Sequence, residues 1–215
     1  MSELKTSRVP PALQQLLKYD AYVTNEFLTW INKLIVVDTL TTYCKALEIS
    51  CHGIPWFAFW IAFTWLFNNP SLVQLQVNIL LGLFIDIIMV AVAKAYFRRK
   101  RPPRNIYDDP IANISMDVFS FPSGHASRSV FVAYFFTWLW PVHFTLIPLF
   151  IVWSIAVCLS RILMNRHYIM DILGGVLLGI LNGLLIDLLW VQDSTARWLL
   201  NIVSDDKLDG GEYHV

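Results

Sequence analysis

Three stretches of this chain, residues 53–93, 129–160 and 172–192, hold only two charged side chains, Asp86 and Asp187, although the sequence carries 16 Lys or Arg and 16 Asp or Glu. A water-soluble core of this size has no need of such long uncharged runs, whereas each helical crossing of a bilayer needs about 20 apolar residues. With 56% hydrophobic residues and nine Trp in 215 positions, the composition also belongs with membrane proteins. The expected fold is therefore an all-α, polytopic membrane bundle. No fixed-period repeat or low-complexity tract is present, which excludes collagen, solenoid and disordered readings. The first charge-poor stretch starts only at Gly53, behind a polar N-terminus. That order speaks against a cleaved signal peptide and leaves the spans to direct insertion. Cys44, Cys51 and Cys158 form neither a CxxC pair nor an even disulfide set, so they read as free thiols and no metal site is expected.

The apolar material divides into about five helices: Gly53–Phe67, Leu72–Ala93, Ser123–Trp140, Val142–Leu159 and Ile172–Val191. Asn68-Asn69-Pro70, the polar stretch 98–121, Pro141 with His143, and the charged run 161–171 mark the breaks. The first span is short and its helix can start earlier, near Thr39. Ahead of it, Phe27, Trp30, Ile31 and Leu34 recur at helical spacing among polar residues, which suits either an amphipathic helix in the interface or one packed on the bundle. The chain thus divides into a polar N-terminus with this helix (1–50), a membrane-embedded domain (51–192) and a polar C-terminal tail (193–215).

Lys and Arg near span ends report orientation. Lys94, Arg98, Arg99, Lys100, Arg101 and Arg104 follow span two, and Arg161 and Arg166 follow span four. Five crossings put both groups on the side of the N-terminus with its Lys5, Arg8, Lys18 and Lys33, against Arg197 and Lys207 opposite. That side is expected to be the cytoplasm.

The same side collects the residues able to do chemistry. Lys94 and Arg101 are seven apart, two helical turns, and read as a cation pair on one face at the end of span two, with Pro102 ending the helix. Arg98, Arg99 and Lys100 read more readily as anchors at headgroup level. Pro122-Ser123-Gly124-His125 opens span three, where helix N-terminal N–H groups and the small Ser123 and Gly124 form a phosphate cradle, with His125 placed as a proton donor. His167 and Asp171 are four apart, so the carboxylate can accept from one imidazole nitrogen and leave the other nucleophilic. Arg161 adds a fork of donors suited to phosphate oxygens.

Lys-x6-Arg-Pro at 94–102, Pro-Ser-Gly-His at 122–125 and Ser-Arg-x5-His-x3-Asp at 160–171 together resemble the three-part signature of the type 2 phosphatidic acid phosphatase superfamily, which includes bacterial undecaprenyl-diphosphate phosphatases and vanadium haloperoxidases. The local wording is most similar to polyisoprenoid diphosphate phosphatases of the presqualene diphosphate type. The resemblance implies a metal-independent, cofactor-free membrane hydrolase acting through a phosphohistidine. His167 would be the nucleophile, Asp171 its orienting acid, and His125 the acid and then the base. Lys94, Arg101, Ser123, Gly124 and Arg161 would hold the phosphate. The partners it implies are a lipid phosphate substrate and the bilayer, with no nucleic acid. The expected location is the endoplasmic reticulum or nuclear envelope, with the site facing the cytoplasm.

Isoprenoid diphosphates such as farnesyl, geranylgeranyl and presqualene diphosphate are the expected substrates, with Arg98, Arg99, Lys100 and Arg104 as surplus cations for a second phosphate. The rival is a general phosphatase for phosphatidate, lysophosphatidate or sphingosine phosphate. A lipid phosphotransferase and an inactive scaffold are weaker readings. Asp86 lies eight positions before Lys94, about 12 Å deeper at helical rise, and is expected to make a structural hydrogen bond between helices. Asp187 reads as interfacial, and Arg128 as support for the phosphate.

Overall fold

The computed structural model describes residues 11–34, 37–66, 69, 71–103 and 119–205. Lys5, Arg8, Arg104 and Lys207 lie outside them. The described residues form α1 (Pro11–Leu34), α2 (Val37–Ser50), α3 (Gly53–Leu66), α4 (Val73–Phe97), α5 (Gly124–Tyr134) running on into a π-helical turn (Phe135–Leu139), α6 (Ile147–Leu163), α7 (Ile169–Leu188) and α8 (Asp193–Asp205). No strand occurs among them, apart from one isolated bridge between Lys100 and Phe119.

By length and composition, α4 and α7 are long and apolar enough to cross a membrane. Residues 40–50 of α2 pass the same test jointly with α3, with a 48° bend between them, and α6 is a shorter apolar helix. This is an integral membrane bundle.

Glycines bring α5 and α7 together. Gly175, Gly179 and Gly183 repeat every four residues along one face of α7, and a Cβ on Gly175 would lie 2.5 Å from the Ser123 carbonyl oxygen. A Cβ on Gly183 would meet the Tyr134 ring at 2.5 Å. In lipid, where helix association gains little from hydrophobic burial, such small-residue faces let backbones pack closely. This packing seats the start of α5 against the start of α7, and the Ser123 N–H donates to the Asp171 carbonyl at 3.0 Å. Asn182 of α7 also donates to the Gly82 carbonyl of α4 at 3.0 Å. At the far end, Asn78 and Val191 exchange two hydrogen bonds of 2.9 Å, which tie α4 to the chain just after α7.

Three expectations need correction. Span two stops at Phe97 and not at Arg101, because Arg98 takes a left-handed conformation (φ 47°) and its Nε donates to the Ala95 carbonyl. Lys94 is therefore on the last turn of α4 while Arg101 is beyond it, so the two do not share a helix face. The stretch assigned to a polar tail contains α8, which packs on α4 and buries Ala196. Arg99, read as a headgroup anchor, is mostly buried.

Of the two readings left open for the N-terminal helix, packing on the bundle is present: Phe27 and Leu28 pack on Ala126, Ile162 and Ile172, while Trp30 and Leu34 stay exposed. Asp86 does bridge helices. Its Oδ1 accepts from Ser127 Oγ at 2.5 Å and its Oδ2 is 3.3 Å from the Arg128 guanidinium, tying α4 to α5. Arg128 also donates to the Cys51 carbonyl, which commits it to the helix junction and not to a phosphate. Asp187 is exposed, near the end of α7 opposite His167.

Candidate active site

The C-terminal ends of α4 and α6 and the N-terminal ends of α5 and α7 meet at one end of the bundle. His167 sits in the turn before α7 and is 2% exposed. Its Nδ1 lies 2.9 Å from the Ser120 carbonyl oxygen. A carbonyl only accepts, so Nδ1 carries the proton and Nε2 keeps its lone pair. This differs from the sequence reading in one respect: the short bond comes from Ser120, and Asp171 Oδ2 stands 3.8 Å from Nδ1. Asp171 therefore acts on the ring as a charge. Burial pushes the imidazole below its usual value, the Asp171 carboxylate opposes that, and the cations of Arg101 and Lys94 add to it. A neutral imidazole at neutral pH follows, which is the form a nucleophile needs. Lys94 and Arg101 thus both act on this ring by their charge, although they come from different segments.

Asp171 is fully buried and both of its oxygens are held. Oδ2 accepts from the Tyr168 N–H at 2.8 Å, closing the first turn of α7, and Oδ1 accepts from Arg99 at 2.8 Å. Arg99 donates with its other branch to Asp20 of α1 at 2.6 Å, and its guanidinium lies 4.1 Å over the Tyr168 ring. Stripping one partner from a buried pair of this kind costs about 3–5 kcal/mol. Arg99 is thus not available to a second phosphate.

Ser123 caps α5, its Oγ accepting from the Ala126 N–H at 3.4 Å, and its hydroxyl hydrogen can still be donated. Gly124 and His125 follow as the first two residues of the helix, where N–H groups have no acceptor within the helix. A Cβ on Gly124 would come within 3.3 Å of Val90, so this entry is tight. The buried Nε2 of His125 makes no hydrogen bond, and an unsatisfied buried nitrogen suits a group that acts on a ligand atom. Its ring lies 6.3 Å from that of His52, at the break between α2 and α3. Arg161 is 1% exposed and donates to the Cys44 carbonyl and Ser160 Oγ, each at 3.2 Å, with Glu48 3.2 Å away. Glu48 also pairs with Arg166 at 2.7 Å. Arg161 therefore reaches the site as part of a buried network with α2 and not as a lone fork.

All eight residues singled out in the sequence fall at this end of the bundle. Sequence reasoning missed Ser120, Asp20, Glu48 and His52. Asp20 did leave a signal, since it falls on the stripe of Leu17, Thr24, Leu28 and Ile31 along α1, where a carboxylate needs a buried partner.

Residues 75–195, which carry the whole of this arrangement apart from α1 to α3, match the PAP2 superfamily. The chain belongs to it. A PAP2 relative, probable lipid phosphate phosphatase beta of Arabidopsis thaliana, is 35% identical over 153 residues, 60% of this chain and 71% of that protein. Decaprenylphosphoryl-5-phosphoribose phosphatase of Mycobacterium tuberculosis is 33% identical over 109 residues, 49% of this chain and 56% of that protein. Among solved structures, Aquifex aeolicus LpxE aligns with a TM-score of 0.57 at 18% identity, over 75% of this chain and 92% of that one. The PAP2-type phosphatidylglycerolphosphate phosphatase of Bacillus subtilis aligns at 0.53 and 22% identity, over 83% and 86%. At these identities the likeness is one of fold. The protein is a membrane lipid phosphatase of the PAP2 superfamily, a phosphoric ester hydrolase.

Proposed function

We propose that this PAP2 protein hydrolyses isoprenoid diphosphates and monophosphates through a phosphohistidine at His167, without a metal ion. The observation that carries the chemistry is the tautomer: Nδ1–H is held by the Ser120 carbonyl, which leaves the Nε2 lone pair for phosphorus, and the charges of Arg101 and Lys94 act on the ring. Nε2 attacks phosphorus, a P–N bond forms, and the bond to the leaving oxygen breaks as His125 supplies its proton. Neutral His125 then takes a proton from water, whose oxygen attacks phosphorus. The P–N bond breaks and His167 is restored. Lys94, Arg101, Ser123, the Gly124 N–H and Arg161 stabilise the charge that grows on the phosphoryl oxygens.

The substrate reading draws on the decaprenyl lipid in the name of the Mycobacterium relative and on cations near the mouth. With Arg99 held by Asp20 and Asp171, the described candidates for a second phosphate reduce to the exposed Arg98 and Lys100. The general lipid phosphatase is the second reading, favoured by the name of the Arabidopsis relative. Both are tested by hydrolysis of farnesyl, geranylgeranyl and presqualene diphosphates against phosphatidate and sphingosine phosphate, with EDTA present. Higher kcat/KM for the diphosphates and no loss in EDTA are expected. Equal or faster hydrolysis of phosphatidate would shift the assignment to the general enzyme, and activity restored only by Mg²⁺ would overturn the metal-free mechanism.

The same reading has five crossings, an active site facing the cytoplasm, and residence in the endoplasmic reticulum or nuclear envelope, supported by the excess of Lys and Arg at the site's end. In sealed microsomes, protease is expected to digest a tag at Met1 and spare one after Val215. The opposite pattern would mean that catalytic cations had inflated the charge count.

A further inference from the structure

Asp20 is a buried carboxylate on α1, 5% exposed, with no part in the chemistry proposed above. Its Oδ2 accepts from Arg99 at 2.6 Å, and its Oδ1 accepts from the Met170 N–H at 3.1 Å, in the first turn of α7. One turn along α1, Thr24 Oγ1 accepts from the Ile169 N–H at 3.2 Å. The N-terminal helix therefore caps the helix that carries Asp171. Arg99 closes a ring around the nucleophile. Its guanidinium holds Asp171 Oδ1, its carbonyl accepts from the Ser120 N–H at 2.8 Å, and the Ser120 carbonyl accepts from His167 Nδ1.

We propose that Asp20 is a positioning residue for the phosphatase reaction, holding Arg99 between two carboxylates so that Asp171 and the Ser120 carbonyl fix the His167 ring. Two consequences follow from the geometry. A guanidinium gripped at both branches and stacked on Tyr168 cannot swing toward an incoming phosphate, as a free arginine beside Lys94 and Arg101 would. The set Asp20, Arg99 and Asp171 also carries one net negative charge, facing a ring that becomes positive as Nε2 bonds to phosphorus. Without Asp20 that charge falls to zero. The lost interaction belongs to the transition state, so the loss falls on kcat.

The inference rests on His167 being the nucleophile, and the experiment separates the two. Asp20→Asn keeps the shape and an oxygen for the Met170 N–H but removes the charge. Expected is at least a tenfold fall in kcat with KM within twofold, in a protein whose thermal unfolding in detergent stays close to wild type. Arg99→Met is expected to lose as much, and the double variant no more than Arg99→Met alone, because one acts through the other. Wild-type kcat in Asp20→Asn, or losses that multiply in the double variant, would overturn the proposal. Should Asp20→Asn fail to fold, Arg99→Lys carries the same test, since an ammonium keeps the charge without bridging both carboxylates; unchanged kcat there would also overturn it. His167→Ala runs beside these variants. If it retains activity, the phosphohistidine reading fails; if it is inactive while Asp20→Asn is normal, only the positioning role fails.

Discussion

His167→Ala is expected to lower kcat at least about 10⁴-fold while the protein still folds, because it removes the atom that bonds to phosphorus and not a helper of that atom. The buried ring packs at the mouth of α7, and its loss leaves the Asp171–Arg99 pair and the glycine face of α7 in place. Acid-labile phosphate on the wild-type protein, trapped by rapid denaturation and absent from the variant, identifies the intermediate directly. More than a tenth of wild-type activity in His167→Ala would remove the nucleophile from the mechanism. The pH profile offers a second check. The attacking form is neutral and burial lowers the imidazole pKa, so kcat/KM is retained below the ordinary histidine midpoint of about 6.5 and falls only as pH drops through the lowered value. The Asp171 carboxylate raises that pKa. Asp171→Asn should therefore move the acid limb to still lower pH as it slows turnover.

The second large effect is at His125. A general acid contributes about 10²–10⁴-fold, but only as far as the leaving oxygen needs a proton. An alkoxide from a lipid monophosphate needs it most. A phosphate monoester leaving from a diphosphate and p-nitrophenolate are both far weaker bases and need it much less. His125→Ala is thus expected to slow the lipid monophosphate by about 10²–10⁴-fold, and the isoprenoid diphosphate and p-nitrophenyl phosphate much less. Equal slowing of all three would show that His125 binds or orients the phosphate and transfers no proton. Its unpartnered Nε2 beside the helix N-terminus is what favours the acid role.

The membrane class and the motif residues could be read because each depends on local chemistry. Charge-free runs report a bilayer wherever the chain folds, and Ser123 marks the start of α5 because a hydroxyl there satisfies a helix N–H. Local rules failed where a backbone changed course unannounced. Counting residues puts Lys94 and Arg101 on one helix face, but the left-handed Arg98 and the pairing of Lys100 with Phe119 carry Arg101 off the helix. Counting also gave Asp171 the imidazole hydrogen bond that the Ser120 carbonyl makes, since a backbone acceptor has no sequence signature.

Arg99 shows the division most plainly. In sequence it is one cation in a basic run, equivalent to Arg98 and Lys100, and its charge and neighbours suit a lipid headgroup. In the folded chain it bridges Asp171 and Asp20, 72 and 79 positions away. Sequence by itself determined that the protein spans a membrane, where the motif residues of the family stand, and which histidine has a carboxylate one turn on. Only the tertiary structure decided that Arg99, of these cations, is tied to Asp171 and Asp20. Charge and hydropathy belong to each residue alone, whereas an ion pair needs a partner that only packing can supply.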